Sequence, residues 1–294
     1  MAGRFGAVVT AMVSPFGADG SLDLDRAQHL ARYLLEHGSD ALVVAGSTGE
    51  SPTLTHAEKA NLFRAVVEAA EGRGRVVAGT GTYSTAETIE LTGAAQEAGV
   101  DGVLVVTPYY NKPPQRGLIA HFTAVAGSTD LPMIVYNIPG RTATRIEHDT
   151  LLKLAEVPNI VAVKDSTGDF EGVSRLTREA PTDFEVYSGD DWATFGYLCL
   201  GAVGVVSVAS HLVGERIRQL CDLVFAGDVP AARKIHEELS PLFKALFVTS
   251  NPIPVKAALG LVGQPVGDPR LPLVPATTEE RTKIEKALRD AALL

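Results

Sequence analysis

A lysine at the end of an apolar segment is the residue in this sequence best suited to covalent chemistry. Residues 159–168 read NIVAVKDSTG, and the four apolar residues before Lys164 predict a buried β-strand. Because side chains alternate along a strand, Ile160, Ala162 and Lys164 should share one face. An amine kept from water loses its proton more readily and can then attack a carbonyl to form a Schiff base. Alternatively, Lys164 reaches solvent or pairs with Asp165, as charges at strand ends commonly do.

Three further segments carry groups that such chemistry needs, and each follows or ends a predicted strand. Residues 46–51 (GSTGES) place two hydroxyls between glycines, where backbone N–H groups could bind an anion. Residues 107–111 (TPYYN) hold two phenols, and residues 136–141 (YNIPGR) begin with tyrosine and end with arginine. A Schiff-base enzyme requires an amine, a group that moves protons and a site for the substrate carboxylate. Taken singly, these residues could equally be turn formers, strand aromatics or solvated charges.

The elements that must position these groups alternate between strand and helix patterns. Helical patterns include residues 25–37, 56–71, 86–98 and 115–126. Eight predicted strands separated by helices indicate a parallel sheet, either open and doubly wound or closed into a barrel. Eight strands, with no dinucleotide-binding loop after the first, favour the barrel. The predicted strands are residues 7–13, 41–45, 75–79, 102–107, 132–137, 160–164, 185–188 and 202–208.

The last quarter of the chain differs, because no strand is predicted after Gly227. Helical patterns cover residues 229–248, 254–261 and 278–292. We therefore expect an α/β fold, a TIM (β/α)8 barrel domain over residues 1–227 with a C-terminal helical domain over residues 228–294. In such barrels the carboxyl ends of the strands meet at one mouth, so the chemical groups described above should converge there.

Composition limits the classes of function and location. Hydrophobic residues make up 46% of the 294 residues, which is ample for a large core, and the net charge of −9 argues against a nucleic-acid or anionic-membrane partner. Neither a signal-peptide pattern nor an apolar run of membrane-spanning length is present, so we expect a cytoplasmic protein. Cys199 and Cys221 follow apolar helical patterns and are expected to be buried thiols in a reducing compartment.

Several motifs have simpler explanations than a functional site. Residues 79–84 (GTGTYS) resemble a nucleotide loop, but a strand end leading into a capped helix explains them better. Lys256 follows two prolines in a helical pattern and is expected to be structural. Asp190 and Asp191 could bind a metal, but we expect them to cap the next helix and to position the site loop. The seven histidines show no ligand-type spacing, so no metal is expected.

Six of these segments, in this order, resemble those of the dihydrodipicolinate synthase family. That family belongs to the wider group of pyruvate-lysine aldolases, which includes N-acetylneuraminate lyase. The resemblance extends over nearly the whole chain. The matching segments are GSTGE (46–50), TPYYNKP (107–113), YNIPGRT (136–142), VKD (163–165), SGDD (188–191) and NPIPVK (251–256).

The resemblance implies a role for most of the candidate residues. Lys164 would form an imine with pyruvate, and the enamine would attack L-aspartate 4-semialdehyde, a step of lysine and diaminopimelate biosynthesis. Tyr136 would act as general acid and base. Ser47 would relay protons between Tyr136 and Tyr110, which would reach in from a neighbouring subunit. Ser47 and Thr48 would hold the pyruvate carboxylate.

The remaining implied features concern the second substrate and the assembly. Arg141 would bind the carboxylate of the semialdehyde at the mouth, while Gly189 and the carbonyl of Val206 would line the site. The pyruvate imine on Lys164 would make a metal or organic cofactor unnecessary. The assembly implied by the family is a homotetramer built from tight dimers.

One departure from the family pattern keeps other functions open. Many synthases have threonine where this chain has Ser47, and serine there also resembles the neuraminate lyase branch. An aldolase for N-acetylneuraminate or for a 2-keto-3-deoxy sugar acid is therefore the alternative. Arg141 favours the synthase, since a guanidinium suits a second carboxylate. A keto-acid sensor is a third possibility, but it would not need Lys164 beside Tyr136.

Family members that respond to L-lysine bind it in a cleft at the dimer interface. Lys59 stands where the sensitive enzymes often carry histidine, and its positive charge should repel a lysine ligand. Tyr83 replaces a small amide. The matching cleft residues here are Ser51, His56, Lys59, Tyr83, Glu87 and Tyr109.

We predict that L-lysine inhibits this protein weakly or not at all, because the cation of Lys59 opposes the cation of the ligand. The measurement is the rate of pyruvate and semialdehyde condensation across a titration of L-lysine. An inhibition constant in the micromolar range would contradict the prediction.

Overall fold

Eight parallel strands close into a barrel at the centre of the computed structural model, which describes residues 2–294. Each strand pairs with the next in sequence order, and the eighth pairs with the first. The predicted barrel is confirmed and the open sheet is excluded. The strands are β1 (Val8–Ala11), β2 (Ala41–Val44), β3 (Arg75–Gly79), β4 (Gly102–Val106), β5 (Met133–Asn137), β6 (Ile160–Asp165), β7 (Glu185–Ser188) and β8 (Gly204–Ser207).

Helices surround the barrel and continue beyond it, as the sequence pattern predicts. The predicted bounds agree with the observed ones to within a few residues. Short 3₁₀ turns cover Ser51–Thr53 and Asp191–Ala193. The helices are α1 (Leu24–Glu36), α2 (His56–Ala70), α3 (Thr85–Glu97), α4 (Gln115–Ala126), α5 (Pro139–Thr142), α6 (His148–Ala155), α7 (Phe170–Glu179), α8 (Thr194–Cys199), α9 (Ser210–Phe225), α10 (Val229–Ala245), α11 (Ile253–Leu261) and α12 (Thr278–Asp290).

The strands are apolar on both faces because each face is covered. One face fills the barrel interior with side chains such as Val43, Leu104 and Ile134. The other face packs against the surrounding helices, as Leu42 and Val135 do. Strands covered on both sides read as continuous hydrophobic runs, which is the pattern seen in the sequence.

A bulge in β6 changes the predicted arrangement of its side chains. Met133 pairs with Ile160, but the next residue on β5, Ile134, pairs with Ala162, so Val161 is an extra residue. Ile160 therefore packs in the outer layer while Ala162 lies inside the barrel. The prediction that Ile160, Ala162 and Lys164 share one face is wrong for Ile160, because the bulge interrupts the alternation.

The two cysteines lie in different environments. Cys221 is buried in α9, as expected. Cys199 is exposed, which contradicts the prediction of a core position. Because Cys199 is the last residue of the short helix α8, its side chain emerges where that helix reaches the surface.

The C-terminal helices connect to the barrel through a buried ion pair. Lys256 in α11 lies 2.6 Å from a carboxylate oxygen of Glu50, in the loop after β2, and both side chains are almost fully buried. The Lys256 amine also lies 4.2 Å from the ring centroid of Phe16. The other oxygen of Glu50 accepts a hydrogen bond from the backbone N–H of Arg270 at 2.9 Å. The C-terminal segment is thereby attached to the loop that carries Ser47.

Replacing Lys256 with alanine should destabilise the protein strongly. The change leaves the buried carboxylate of Glu50 without its cation, which typically costs about 3–5 kcal/mol. The measurement is the free energy of unfolding in denaturant, at equal protein concentrations.

The matched control is Arg233→Ala, which breaks an exposed ion pair between Arg233 and Glu237. Such surface pairs contribute at most about 1 kcal/mol. Equal effects of the two substitutions would contradict a special role for the buried pair.

Candidate active site

A cavity of about 300 Å³ opens at the carboxyl ends of strands β2 to β5. Its walls include Ser47 from the loop after β2, Tyr136 from β5 and Arg141 from α5. Tyr109 and Asn251 also line it, the latter from the segment that precedes α11. The fold therefore brings three of the predicted site residues together at one cavity, although they are far apart in the sequence.

Lys164 is not among the residues that line this cavity, but it packs against Tyr136, which is. Tyr136 and Lys164 are paired residues on adjacent strands, and the Lys164 amine lies 4.0 Å from the centroid of the Tyr136 ring. Lys164 is only 5% exposed, so it does not extend into solvent. Asp165 is bonded elsewhere, since its carboxylate accepts hydrogen bonds from Tyr197 at 2.8 Å and Thr167 at 2.7 Å. Both structural alternatives for Lys164 are therefore excluded.

The loop after β2 presents unpaired backbone donors. It is bounded by Ala45 and Glu50, both in the left-handed backbone region with φ of 53° and 56°, which is uncommon for residues other than glycine. Such backbone conformations concentrate at functional sites. Within residues 2–294, the N–H groups of Ser47 and Thr48 donate to no other group. They are free to bind an anion, and their contact with a substrate carboxylate stays a prediction.

Asn251 is a site residue that the sequence analysis missed. Its side-chain amide donates a hydrogen bond to the buried Thr48 hydroxyl at 2.8 Å. Its backbone carbonyl accepts a hydrogen bond from the Arg141 guanidinium at 3.0 Å. The only signal in the sequence was its place in the NPIPVK segment, which carries the family resemblance but no obvious chemistry.

Gly189 directly follows β7 and Val206 lies on the neighbouring strand β8, and neither lines the cavity. The Gly189 N–H donates to the Asp165 carbonyl at 2.7 Å. A side chain at position 189 would collide with Ser166, since a Cβ atom there would lie 2.0 Å from the Ser166 hydroxyl. Val206 is buried inside the barrel, where it pairs with Val9. Their contacts with substrate stay predictions.

Tyr110 does not reach the cavity of its own chain. It lies in the loop after β4, is 92% exposed and adopts a φ of 71°. The adjacent Tyr109 lines the cavity and packs edge-on against Tyr83, with ring centroids 5.6 Å apart. A proton relay that includes Tyr110 therefore requires a second subunit.

The residues assigned to a lysine cleft lie beside the cavity, and two of them, Ser51 and Tyr109, line it. His56 lies 2.9 Å from a carboxylate oxygen of Glu87, and this hydrogen bond lowers the pKa of Glu87. Burial lowers the pKa of the Lys59 amine, against the opposing effect of the Glu87 charge. The cleft therefore adjoins the site but contains a histidine-carboxylate pair of its own.

Asp190 and Asp191 do not cap the next helix, contrary to the prediction. The carboxylate of Asp191 accepts hydrogen bonds from the Ser207 hydroxyl at 2.5 Å and from the N–H of Ala209 at 2.9 Å, so it fixes the connection after β8. Burial raises the pKa of Asp190 to about 6, against the opposing effect of the Lys164 charge. Asp190 is thus a titratable group whose protonation the charge of Lys164 influences.

The glycines of residues 79–84, which resemble a nucleotide loop in sequence, lie in close contact with neighbouring backbone. A Cβ atom on Gly79 would lie 2.5 Å from the Ala45 carbonyl, and one on Gly81 would lie 2.3 Å from the Val106 nitrogen. These glycines therefore permit close packing of strands and loops.

In the part of the chain that the structure describes, no group of three or more His, Cys, Asp or Glu side chains is placed to hold a metal. No helix among residues 2–294 is long and apolar enough to cross a membrane.

Asp190 should make stability depend on pH. The usual pKa of an aspartate, 3.8, applies to Asp190 in the unfolded chain, whereas its pKa in the folded protein is about 6. Between pH 4 and 6 the folded protein therefore binds more protons at this residue than the unfolded chain does. The free energy of unfolding should therefore fall as pH rises from about 4 to 6, by roughly 1–3 kcal/mol from this group. The difference in unfolding free energy between wild type and Asp190→Asn, measured from pH 4 to 7, isolates the effect. A difference that does not change with pH would contradict it.

Comparison with known proteins agrees with this geometry. The sequence matches the profile of the Dihydrodipicolinate synthetase family over residues 4–291. It is 54% identical over 291 residues to a 4-hydroxy-tetrahydrodipicolinate synthase from Moorella thermoacetica, which covers 99% of this chain and 100% of the relative.

Solved structures give the same result. A DHDPS from Cyanidioschyzon merolae, crystallised with lysine bound, is 49% identical with a TM-score of 0.98, covering 99% of this chain and 100% of that one. A dihydrodipicolinate synthase from Aquifex aeolicus is 43% identical with a TM-score of 0.95, covering 98% of each chain. With a buried lysine against a cavity-lining tyrosine and similarity along its whole length, this chain belongs to the dihydrodipicolinate synthetase family.

Proposed function

We propose that this chain condenses pyruvate with L-aspartate 4-semialdehyde through an imine on Lys164. Membership of the family, at about half identity over the full length of its relatives, makes the chain a lyase of the Schiff-base aldolase type. The observation that supports the residue assignment is the buried Lys164 amine, 4.0 Å from the centre of the Tyr136 ring. A buried amine beside a phenol provides the nucleophile and the proton carrier that imine formation needs.

The chemistry follows from these two groups. The neutral amine of Lys164 attacks the C2 carbonyl of pyruvate, and the resulting carbinolamine loses water to give the imine. Tyr136 supplies the proton that leaves with this water. Tyr136, now a phenolate, takes a proton from C3 to give the enamine. C3 of the enamine forms the new bond to the aldehyde carbon of the semialdehyde, and Tyr136 returns the proton to the aldehyde oxygen, which becomes a hydroxyl. The imine on Lys164 serves as the electron sink, so no metal or organic cofactor takes part.

The two substrate carboxylates have separate binding groups. The free N–H groups of Ser47 and Thr48, with their hydroxyls, suit the carboxylate of pyruvate. The Arg141 guanidinium lines the cavity and is exposed at its mouth, where the carboxylate of the second substrate would arrive. Gly189 and the carbonyl of Val206 would line the deeper part of the site, between β7 and β8.

The two other functions considered from the sequence have less support. The relatives described above carry the names of synthases, which argues against a sugar-acid or N-acetylneuraminate aldolase. Arg141 argues in the same direction. A keto-acid sensor would have no use for a buried amine in contact with a phenol.

The assembly, location and organisation of the chain extend this proposal. The exposure of Tyr110 supports a tight dimer in which it enters the neighbouring site, and two such dimers would form a homotetramer. We assign the protein to the cytoplasm, with no nucleic-acid or membrane partner, consistent with its charge of −9. Residues 1–227 would form the catalytic barrel domain and residues 228–294 the C-terminal helical domain.

Lysine is the effector to test, because the relative from Cyanidioschyzon merolae was crystallised with lysine bound. The cleft in this chain would comprise Ser51, His56, Lys59, Tyr83, Glu87 and Tyr109. Lys59 is the residue that would weaken the binding of lysine, through its positive charge.

Borohydride reduction in the presence of pyruvate tests the function directly. We expect a reduced pyruvate adduct on Lys164, located by mass mapping of peptides, because borohydride converts the imine to a stable amine. Lys164→Ala should give neither adduct nor turnover. The control is Lys153→Ala, which removes an exposed lysine and should keep both. An adduct on another lysine, or none in the wild type, would overturn the proposal.

The same assay separates the role of the phenol from that of the amine. Tyr136→Phe should still carry pyruvate on Lys164 at equilibrium, although the adduct should form more slowly because the phenol no longer supplies a proton. Condensation with the semialdehyde should be slower by roughly 10²–10⁴. Tyr187→Phe is the matched control, since it removes another phenol from the barrel interior, whose hydroxyl bonds to Phe5 and Glu185. If both variants lost activity equally, the loss would not be specific to Tyr136.

A further inference from the structure

Asn251 connects two residues that the proposed function assigns to different substrates. Its amide nitrogen donates to the Thr48 hydroxyl at 2.8 Å, and its carbonyl accepts from Arg141 at 3.0 Å. The residue is buried, with 6% of its surface exposed, and it lines the active-site cavity. Asn251 thus lies between the proposed binding groups for pyruvate and for the semialdehyde.

The direction of the hydrogen bond to Thr48 matters for pyruvate binding. A threonine hydroxyl has one hydrogen to donate, whereas a carboxylate can only accept. Because the Asn251 amide donates to the hydroxyl oxygen, the hydrogen of Thr48 is not used in this contact. It remains available to the carboxylate of pyruvate. An acceptor in place of the amide would take that hydrogen instead.

The amide of Asn251 lacks the bonding expected of a purely structural side chain. Its oxygen is buried without a hydrogen-bond partner among the residues that the structure describes. Asn159 is different, since its amide donates to the carbonyls of Ala126 and Thr129 and so ties two loops together. Among the described residues, the hydrogen bond to Thr48 is therefore the only one that the Asn251 side chain makes.

The backbone around this contact is held on both sides by the same ion pair. Lys256 follows Asn251 on the first turn of α11, and Glu50 follows Thr48 in the loop after β2. These two charges meet at 2.6 Å in a buried position. The ion pair therefore fixes the distance between the segments that carry Asn251 and Thr48.

We infer that Asn251 is a positioning residue: its amide orients the Thr48 hydroxyl toward the carboxylate of pyruvate, and its carbonyl anchors Arg141 at the mouth. The inference rests on the proposed function. It makes the segment after the barrel part of the substrate-binding machinery. A side-chain substitution removes only the first contact, because the carbonyl that holds Arg141 belongs to the backbone.

The test uses Asn251→Asp, which keeps the shape of the side chain but replaces the donor with a charged acceptor. The hydroxyl of Thr48 should then donate to the new carboxylate, and the KM for pyruvate should rise about tenfold or more. The KM for the semialdehyde should change much less, because the carbonyl contact to Arg141 is retained. The pyruvate dependence of borohydride trapping on Lys164 gives the same comparison without the second substrate.

Two further variants keep the result decisive. Asn251→Ala should raise the KM for pyruvate less, by about threefold to tenfold, since no competing acceptor is added. In a Thr48→Val background, Asn251→Asp should add much less than it does in the wild type, because the hydroxyl through which it acts is gone. Asn159→Asp is the control, which should lower stability and leave the KM for pyruvate unchanged.

The outcomes distinguish this inference from the proposed function. If the wild type traps no pyruvate on Lys164, the proposed function fails. If the wild type traps pyruvate but Asn251→Asp binds it equally well or better, Thr48 does not depend on the amide and the inference fails alone. Equal increases in the KM for both substrates, or an undiminished effect in the Thr48→Val background, would also overturn it.

Discussion

The pairing of β5 with β6 is the constraint on which the site depends. The bulge at Val161 shifts the register by one residue, and this shift sets Tyr136 opposite Lys164. Strand register matters here because a slip of one residue would exchange the two faces of β6 and move Lys164 out of the barrel interior. The position of the amine against the ring is therefore enforced by the packing of the whole barrel.

The barrel shields the Lys164 amine from solvent, and the C-terminal helices form part of the cavity wall. The barrel interior and Tyr136 keep Lys164 from solvent, while Asp165 is bonded to Tyr197 and Thr167 on the other side of the strand. Across the mouth, the Lys256–Glu50 ion pair joins α11 to the loop after β2. A buried charge needs a partner of opposite sign, so each segment requires the other. The segment after the barrel thus shapes the wall of the cavity.

A single chain contains an incomplete version of the proposed proton relay. Ser47 and Tyr136 line one cavity, whereas Tyr110 does not line it and is almost fully exposed. In the proposed tight dimer, a neighbouring copy would receive this exposed phenol. The cleft residues His56 and Glu87 lie near the same surface. The proposed catalysis, assembly and response to effectors would therefore share the segments that follow β2, β3 and β4.

The sequence by itself determined the architecture and the candidate site residues. Alternating strand and helix patterns indicated the barrel, because hydrophobic periodicity is a local property of the chain. Lys164, Tyr136, Ser47 and Arg141 were identified from residue type and from their position at strand ends, where barrels of this kind carry their chemistry.

Only the tertiary structure decided how these groups meet. The bulge that moved Ile160 to the outer layer depends on the pairing of two strands and leaves no local signal in either. The exposure of Cys199, the bonding of Asp191 to the loop after β8 and the contacts of Asn251 with Thr48 and Arg141 likewise join distant segments. Such contacts follow from the packing of the complete chain, which residue type and spacing do not encode locally.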